Sequence, residues 1–353
     1  MYPALAVAGA LEEKAEVLWV GGEGGMEVSL VSRAGLPFAA VPAAGLHGVG
    51  WRALPGNALR LLRGFFAARR EIKRFRPDAM FFTGGYVAVP VALAGVGIPK
   101  AIFVPDIEPG LALRLVSWLS SLIMVTSDRS QAFYPKSKDI VVTGYPVRSE
   151  LSKHSRESGR AVLGLEPDRT VVLVFGGSRG ARSINQALWR CLPDLLLKCQ
   201  VVHITGELDW PAVDRVRREL PAELAPAYRA FAYLHDEMGA ALAAADLVIS
   251  RAGASTMGEF PLFGLPAILV PYPHAWRYQK VNAEYLVSQG AAIDLEDETL
   301  DQTLLPTVLS LLEDRKRLKA MASAACSLAA PEAAASIAAE LLALAQERDD
   351  RHG

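Results

Sequence analysis

Cysteine is scarce in this sequence, with three residues in 353, and neither sign of charge is in excess. Cys191, Cys199 and Cys326 are scattered and show no Cys-x-x-Cys pair or Cys/His ligand spacing. That pattern argues against a zinc site and against a disulfide framework, and reduced thiols in a cytosolic enzyme are the simplest interpretation. Lysine and arginine number 37 against 38 aspartates and glutamates, which argues against bulk binding of nucleic acid.

The N-terminal segment lacks the basic start of a secretory signal and meets Glu12 and Glu13 early. Residues 79–99 carry no charge over about the thickness of a bilayer. Pro90 and the Gly84-Gly85 pair interrupt that stretch. A strand, a glycine turn and a buried helix explain it better than a membrane span does.

The length suits two domains, and a hydrophobic fraction of 51% supplies enough apolar mass for two cores. A charged fraction of 21% completes a composition that excludes a disordered, collagen-like or coiled-coil chain. Apolar runs without polar alternation recur, as in strands buried on both faces of a parallel sheet. These runs cover residues 17–22, 79–85, 100–105, 122–126, 140–144, 171–177, 201–206, 246–253 and 267–271.

Helix-length segments separate the runs, and this alternation predicts doubly wound α/β layers. The pattern breaks and restarts at 149–169, a polar segment that contains Gly159 and Pro167. We therefore expect two Rossmann-like domains with a cleft between them. The predicted boundaries are 1–148 for the N-terminal domain, 149–169 for a linker and 170–353 for the C-terminal domain.

The segment GGSRGA (176–181) joins an apolar run to an amphipathic helix pattern. Glycines let a backbone approach a ligand closely, and a helix start presents free N–H groups to anions. Ser178 can add a hydroxyl donor to a phosphate oxygen. A plain strand-to-helix turn also favours glycine and serine, so the motif alone leaves both interpretations open. It is neither a Walker A loop nor a GxGxxG motif.

A second junction of this kind is RAGAST (251–256). Glu259 follows one helical turn later, where a carboxylate can accept hydrogen bonds from ribose hydroxyls or simply complement the helix dipole. Gln279 and Asn282 share a helical face at a spacing of three. Neutral amides both donate and accept, which suits sugar hydroxyls, although amides on helices are more often solvated.

The motifs GGSRGA, YLHDEM (233–238), RAGASTMGE (251–259) and Gln279-x-x-Asn282-Ala283 occur in that order, after PALAVAGAL (3–11), FFTGGYVAVP (81–90) and VTGYPVR (142–148). In these motifs the whole chain resembles the MurG family of UDP-GlcNAc transferases, which have the GT-B fold. The resemblance implies a two-domain enzyme whose second domain holds most of the sugar nucleotide.

The resemblance implies roles for individual residues. Ser178 would contact the donor diphosphate, Arg148 would lie at the cleft, and the backbone of Leu234 would meet the uracil. Gln279 would bind the GlcNAc hydroxyls. One continuous run would cradle the diphosphate and ribose, with its final glutamate on the ribose hydroxyls: Ala254, Ser255, Thr256, Met257, Gly258 and Glu259.

Two departures from the family pattern stand out. The family carries HEQN before a Pro-Gly pair, whereas this chain reads FVPDIEPG (103–110), which places Asp106 where the family has an asparagine beside the donor sugar. An ionised aspartate accepts hydrogen bonds but cannot donate them, so its sugar contact must differ in kind. The family's glycine loop GGTGGH, with a histidine proposed as catalytic, has no counterpart before PALA. The catalytic base is therefore unassigned, with His47 and Asp106 as the first-domain candidates.

We expect the missing loop to reflect an upstream segment lost through a misplaced start codon, because a GTG codon encodes valine internally but methionine at a start. Without that segment the first domain would lack its first strand and leave a neighbouring edge unpaired. The alternative is a genuine truncation that binds sugar nucleotide without catalysing transfer.

Segment 51–77 carries eight lysines and arginines and one acid, Glu71. Residues 1–150 as a whole carry a net charge of +4 and residues 151–353 carry −5. Apolar residues interleave with the cations, as in an interfacial helix, although a core-packed helix with a solvated basic face would also explain them. The residues expected at the membrane are Arg63, Phe65, Phe66, Arg69, Arg70 and Arg74.

The function implied is inverting transfer of GlcNAc from UDP-GlcNAc to lipid I, an undecaprenyl-diphospho-MurNAc-pentapeptide, to form lipid II. We expect a peripheral enzyme at the cytoplasmic face of the cell membrane, docked on anionic lipid and alongside other proteins of cell-wall synthesis. No DxD motif stands out, so no cofactor and no obligatory protein-bound metal are expected. The alternatives are a related GT-B transferase that glycosylates another lipid, and a catalytically impaired sugar-nucleotide-binding protein.

Overall fold

The computed structural model describes residues 1–24, 27–44, 54–177, 180–274 and 277–352. The chain divides into two compact units. Met1–Arg148 and Pro331–Gly353 form the first unit, and Ser149–Ala330 forms the second. In each unit, helices connect strands that pair in parallel.

The helices and strands of the first unit before its C-terminal part are α1 (Tyr2–Ala10), β1 (Trp19–Gly22), α2 (Glu27–Arg33), β2 (Phe38–Val41), α3 (Leu54–Phe75), β3 (Met80–Phe82), α4 (Ala88–Ala94), β4 (Lys100–Val104), α5 (Leu111–Leu119), β5 (Leu122–Val125) and β6 (Asp139–Val142). Those of the second unit are α6 (Arg156–Val162), β7 (Val171–Phe175), α7 (Arg182–Leu196), β8 (Gln200–Ile204), α8 (Trp210–Glu219), β9 (Tyr228–Phe231), α9 (Met238–Ala244), β10 (Leu247–Ser250), α10 (Thr256–Phe263), β11 (Ala267–Leu269), α11 (Tyr278–Ser288), β12 (Ala292–Asp294), α12 (Leu300–Glu313) and α13 (Arg315–Ser327). The last helix, α14 (Ala333–His352), returns to the first unit.

The first unit contains a four-stranded sheet in the order β3-β4-β5-β6 and a two-stranded sheet of β1 and β2. Its core forms where β4 and β5 meet, with Ile102 opposite Ile123 and Val104 opposite Val125. All four side chains are fully buried, as expected for strands covered by helices on both faces. A cavity of about 970 Å³ lies among α1, β1, β3 and α14.

The second unit is built on a six-stranded sheet in the order β12-β11-β10-β7-β8-β9. From β7 the chain adds β8 and β9 on one side, and then crosses over to add β10, β11 and β12 on the other. The direction of winding therefore reverses between the neighbouring strands β7 and β10. In open α/β sheets, ligands bind beyond the carboxyl ends of the strands at such a reversal.

Each apolar run identified in the sequence overlaps an observed strand, which confirms the α/β prediction. The sequence analysis missed strands β2, β9 and β12, each of which lies at the edge of its sheet and is only partly buried. Residues 79–99 form β3, a glycine turn and α4, as predicted. Among the described residues, no helix is long and apolar enough to cross a membrane.

The domain boundaries differ from the predicted ones at two places. Residues 149–169, expected as a linker, belong to the second unit, where α6 packs on α9. That contact needs Gly159, since a Cβ atom there would lie 2.5 Å from the Ala240 carbonyl oxygen. Helix α14 was assigned to the C-terminal domain, but its buried Ile337 and Ala338 belong to the first unit, where the helix packs against α1.

Candidate functional site

Two strand-to-helix junctions lie side by side at the carboxyl edge of the second unit's sheet. Phe175, the last residue of β7, is the register partner of Ser250, the last residue of β10. Segments 176–181 and 251–255 therefore leave the sheet at the same level and lead into α7 and α10. The structure brings together the two segments that the sequence singled out for phosphate binding.

The first junction leads into α7 through Gly180, whose φ of +74° favours glycine. A Cβ atom at Gly180 would also lie 2.3 Å from the Thr205 carbonyl oxygen of the neighbouring strand end. In the described part of the chain no side chain caps the start of α7, so its first N–H groups remain open to an anion. Ser178, predicted to contact the diphosphate, lies outside the described residues.

The second junction places the predicted run 254–259 within one turn at the start of α10. Ala254 and Ser255 are half-buried, and Thr256 and Met257 are buried. The Thr256 hydroxyl donates to the Gly253 carbonyl oxygen at 2.7 Å. The N–H groups of Thr256, Met257 and Gly258 also donate, to the carbonyl oxygens of residues 253–255 at 3.0 to 3.1 Å. The donors that this junction can offer a phosphate are therefore the Ser255 hydroxyl and the backbone N–H groups of residues 254 and 255.

Glu259 lies in the first turn of α10, and 8% of the residue's surface is exposed. Its backbone N–H donates to the Ser255 carbonyl oxygen at 2.8 Å, which fixes the residue within the first turn. A carboxylate in this place is close to the helix start and largely withdrawn from bulk water. It can therefore accept directional hydrogen bonds from hydroxyl groups that reach the junction.

The two amides of α11 have different roles. Asn282 is fully buried, and its Nδ2 donates to the Ala252 carbonyl oxygen at 3.2 Å, which ties α11 to the second junction. Asn282 therefore supports the fold, and Gln279 is the amide that was assigned to the sugar hydroxyls. Gln279 is half-buried, and its Oε1 accepts from the Tyr272 backbone N–H at 2.9 Å, so the orientation of its amide is fixed.

Leu234 follows β9 at the same carboxyl edge of the sheet and is buried. The sequence analysis assigned no role to three residues of this region: Ser183, Arg251 and Asp297. The structure joins them into one hydrogen-bonded cluster between α7 and β10. The described residues contain no group of three His, Cys, Asp or Glu side chains that could hold a metal ion.

The predicted residues of the first unit lie in two places. Asp106 is half-buried in the loop between β4 and α5. The Arg148 guanidinium stacks 4.5 Å from the centroid of the Tyr2 ring, and its buried Nε has no hydrogen-bond partner among the described residues. That geometry leaves Arg148 with donors for a further acceptor. His47, the other candidate base, lies outside the described residues.

Helix α3 is amphipathic, but only some of its apolar residues face the core, and others are exposed. Phe65 and Ile72 pack against the first unit's core, whereas Leu62 and Phe66 are exposed. Phe65 is therefore a core residue, which corrects its assignment to the membrane-facing set. The arginines of that set are exposed: Arg63, Arg69, Arg70 and Arg74.

Helix α5 carries a second exposed apolar stripe, which the sequence analysis missed. Leu111, Leu115 and Trp118 recur at helical spacing, and Trp118 is 82% exposed. Helix α4 packs against both α3 and α5, so the three helices lie on one side of the unit. The sequence could have revealed this stripe, because α5 is apolar both on the side that buries Leu113 and Val116 and on the opposite side.

Comparison with known proteins extends these observations to the whole chain. The glycosyltransferase family 28 N-terminal domain matches residues 1–124, and the family's C-terminal domain matches residues 171–341. The UDP-N-acetylglucosamine--N-acetylmuramyl-(pentapeptide) pyrophosphoryl-undecaprenol N-acetylglucosamine transferase of Roseiflexus sp. is 40% identical, over 96% of this chain and 91% of the relative. The Moorella thermoacetica protein of the same name is 38% identical, over 96% of this chain and 94% of the relative.

Among solved structures, the crystal structure of Acinetobacter baumannii MurG superposes with a TM-score of 0.76 at 28% identity. The match covers 97% of this chain and 95% of that one. The fold is therefore the GT-B fold, as the sequence predicted. The identities, the extent of the matches and the paired junctions agree, and the chain belongs to the MurG family of glycosyltransferases.

Proposed function

We propose that this chain transfers GlcNAc from UDP-GlcNAc to the MurNAc unit of lipid I, forming lipid II with inversion at the sugar carbon. The observation that carries the proposal is the pairing of two glycine-containing junctions at the β7/β10 reversal, with the buried Glu259 at one of them. This is where a nucleotide binds in sheets of this type. The activity is the one named for relatives that match nearly the whole chain.

The donor would lie across the two junctions. The open N–H groups at the start of α7 and the Ser255 donors before α10 would hold the diphosphate, together with Ser178. Glu259 would accept from the ribose hydroxyls. The place of Leu234, just beyond the carboxyl end of β9, supports its backbone as the uracil contact. The fixed amide of Gln279 would bind the GlcNAc hydroxyls through the hydrogen-bonding capacity that Tyr272 leaves unused.

Transfer requires stabilisation of the leaving UDP and removal of a proton from the C4 hydroxyl of MurNAc. The helix starts supply fixed partial positive charge for the diphosphate, and the Arg148 guanidinium is available as an additional cation. Asp106 and His47 remain the candidate bases, each from the first unit.

Membrane docking would use the first unit. The exposed Leu62 and Phe66 of α3 lie among arginines, and α5 adds Leu115 and Trp118. Each cation near an anionic bilayer contributes about 1 kcal/mol, and exposed apolar side chains add partial insertion. Such a surface supports reversible binding at the cytoplasmic face, where the undecaprenyl-linked acceptor would be presented.

Labelled transfer tests the proposal. The full chain is incubated with radiolabelled UDP-GlcNAc and, in parallel, with lipid I, a MurNAc-free undecaprenyl diphosphate, or diacylglycerol. Labelled lipid II in the first reaction alone is expected. Labelling of diacylglycerol instead would favour a different acceptor, for which the Asp106 departure is the supporting observation. Binding of UDP-GlcNAc without transfer to any acceptor would favour the impaired binding protein.

A further inference from the structure

The first residue of α7, Arg182, lies directly after the glycine junction. Its Nε donates to Oδ1 of Asp209 at 3.1 Å, and within the described residues Asp209 is the only acceptor of this guanidinium. The Arg182 side chain is 70% exposed, whereas the Asp209 side chain is 11% exposed. The inner edge of the guanidinium is therefore held, and its two terminal amino groups remain available for a second acceptor.

Asp209 is itself held from inside the protein. Nδ2 of the fully buried Asn185 donates both to Oδ2 of Asp209 at 2.8 Å and to the Thr205 carbonyl oxygen at 2.9 Å. Two acceptors around one amide nitrogen fix which end of the amide is nitrogen. The Thr205 carbonyl is also the group against which Gly180 packs, so the junction and Asp209 share one anchor.

The network continues to two strands. Oδ1 of Asn185 contacts Nε2 of His203 at 2.9 Å, and Nδ1 of His203 contacts the Tyr228 hydroxyl at 2.8 Å. Because Oδ1 can only accept, His203 carries its proton on Nε2, and Tyr228 donates to Nδ1. Burial lowers the pKa of His203 to about 3, which keeps the ring neutral. Every polar group of this buried chain has a partner, which makes the arrangement rigid.

We infer that Arg182 contacts the donor's diphosphate and that Asp209 and Asn185 are positioning residues that aim its guanidinium. This inference rests on the proposed function. A planar guanidinium with one edge fixed presents two parallel N–H groups, the geometry that suits two oxygens of a phosphate. An exposed arginine whose carboxylate partner is built into a buried network differs from a solvated surface pair, whose members are both mobile.

Calorimetry with UDP and uridine tests the contact. Arg182→Ala is expected to weaken UDP binding by about tenfold or more, as for loss of a charged hydrogen-bond donor, and to leave uridine binding unchanged. The matched control is Arg190→Ala on the same helix, where an exposed arginine pairs with Asp301. That variant should bind both ligands as the unmodified protein does. An unchanged ratio of UDP to uridine affinity in Arg182→Ala would overturn the inference.

A double-variant cycle tests the positioning. Asp209→Asn should weaken UDP binding in the unmodified background but not in the Arg182→Ala background, because Asp209 acts through Arg182. A merely structural Asp209 would instead lower UDP and uridine affinity together in both backgrounds. If UDP binds normally to the unmodified protein while these ratios stay constant, the proposed function stands and this inference falls. If the unmodified protein binds no UDP, both fall.

Discussion

Nη2 of Arg251, at the end of β10, donates to Oγ of Ser183, in the first turn of α7, at 2.7 Å. The same guanidinium bonds to the Val270 carbonyl oxygen and to Asp297, and Ser183 also donates to Asp297 at 2.7 Å. Arg251 is 8% exposed. This cluster fixes the two junctions of the donor site relative to each other, although its members are widely separated in sequence.

Arg251→Met should destabilise the second unit by about 3 kcal/mol, because it leaves the Asp297 carboxylate without its cation in a largely buried place. It should also weaken UDP binding, since both helix starts lose a shared support. Urea denaturation and calorimetry measure the two effects. The exposed pair Arg217–Asp214 gives the control: Arg217→Met should cost less than about 1 kcal/mol. Equal costs for the two variants would contradict this account.

Glu259→Ala should weaken UDP binding by roughly 1–3 kcal/mol, the range for loss of a charged hydrogen-bond partner. Calorimetry on the folded variant gives the measurement. Glu284→Ala, which removes an exposed carboxylate from α11, is the matched control and should have no effect. Unchanged affinity in Glu259→Ala would exclude the ribose-binding role.

Gln279→Ala should lower the affinity for the sugar part of the donor without lowering the affinity for its nucleotide part. Because its Oε1 is held by the Tyr272 N–H, the amide is oriented before any ligand arrives. The variant should bind UDP-GlcNAc several-fold more weakly, as expected for loss of about one hydrogen bond. UDP affinity should stay the same. Competition binding with the two ligands provides the comparison, and parallel losses would assign Gln279 a structural role instead.

His203 makes the stability of the second unit depend on pH. Its pKa is lowered to about 3 by burial in the folded state and is about 6.5 when unfolded. Between these values the unfolded chain binds the extra proton, so the free energy of unfolding falls as the pH drops below about 6.5. The slope reaches about 1.36 kcal/mol per pH unit.

Urea denaturation between pH 4 and 7 should show a shallower slope for His203→Gln. His235→Gln, which changes an exposed histidine, should keep the original slope. If His203→Gln and the unmodified protein share the same pH dependence, His203 is not the group responsible.

Docking on anionic vesicles should depend on both charge and apolar contact. Replacing Arg63, Arg69, Arg70 and Arg74 with glutamate should reduce co-sedimentation, and so should salt acting on the unmodified protein. Trp118→Ser should reduce it too, whereas Leu208→Ser, at a 77% exposed leucine of the second unit, should not. Sedimentation insensitive to the arginines, to salt and to Trp118 would leave α3 as a solvated basic helix.

The parts of the fold that follow from local pattern were predictable. Runs such as 171–177 are strands buried on both faces, and their apolar continuity is visible in sequence. The strand order was not predictable from local pattern, because the reversal at β7 and β10 arises from long-range pairing. The Gly-rich junctions were found from spacing. The bonds of Arg251, Asp297 and the Asn185 network were not, since their partners lie 18 to 114 positions away along the chain.

Predictions from periodicity failed where the sequence pattern did not decide which of two residues on a helix is buried. Asn282 and Gln279 share a helical face, yet Asn282 is fully buried while Gln279 is half-buried. Phe65 and Phe66 are adjacent, and only the packing of α3 on the core decides which of them is exposed. The linker prediction failed because the packed face of α6 is not an apolar stripe that periodicity could detect. The helix packs through Gly159 and the buried Arg160 instead.

The central claim is that the edge formed by β7 and β10 binds UDP-GlcNAc, and a crystal structure of the full chain with that ligand tests it most directly. The account predicts the diphosphate between the starts of α7 and α10, within hydrogen-bond distance of the first N–H groups of α7 and of Ser255, and the ribose hydroxyls on Glu259. A nucleotide bound elsewhere, with no contact to either junction, would contradict it.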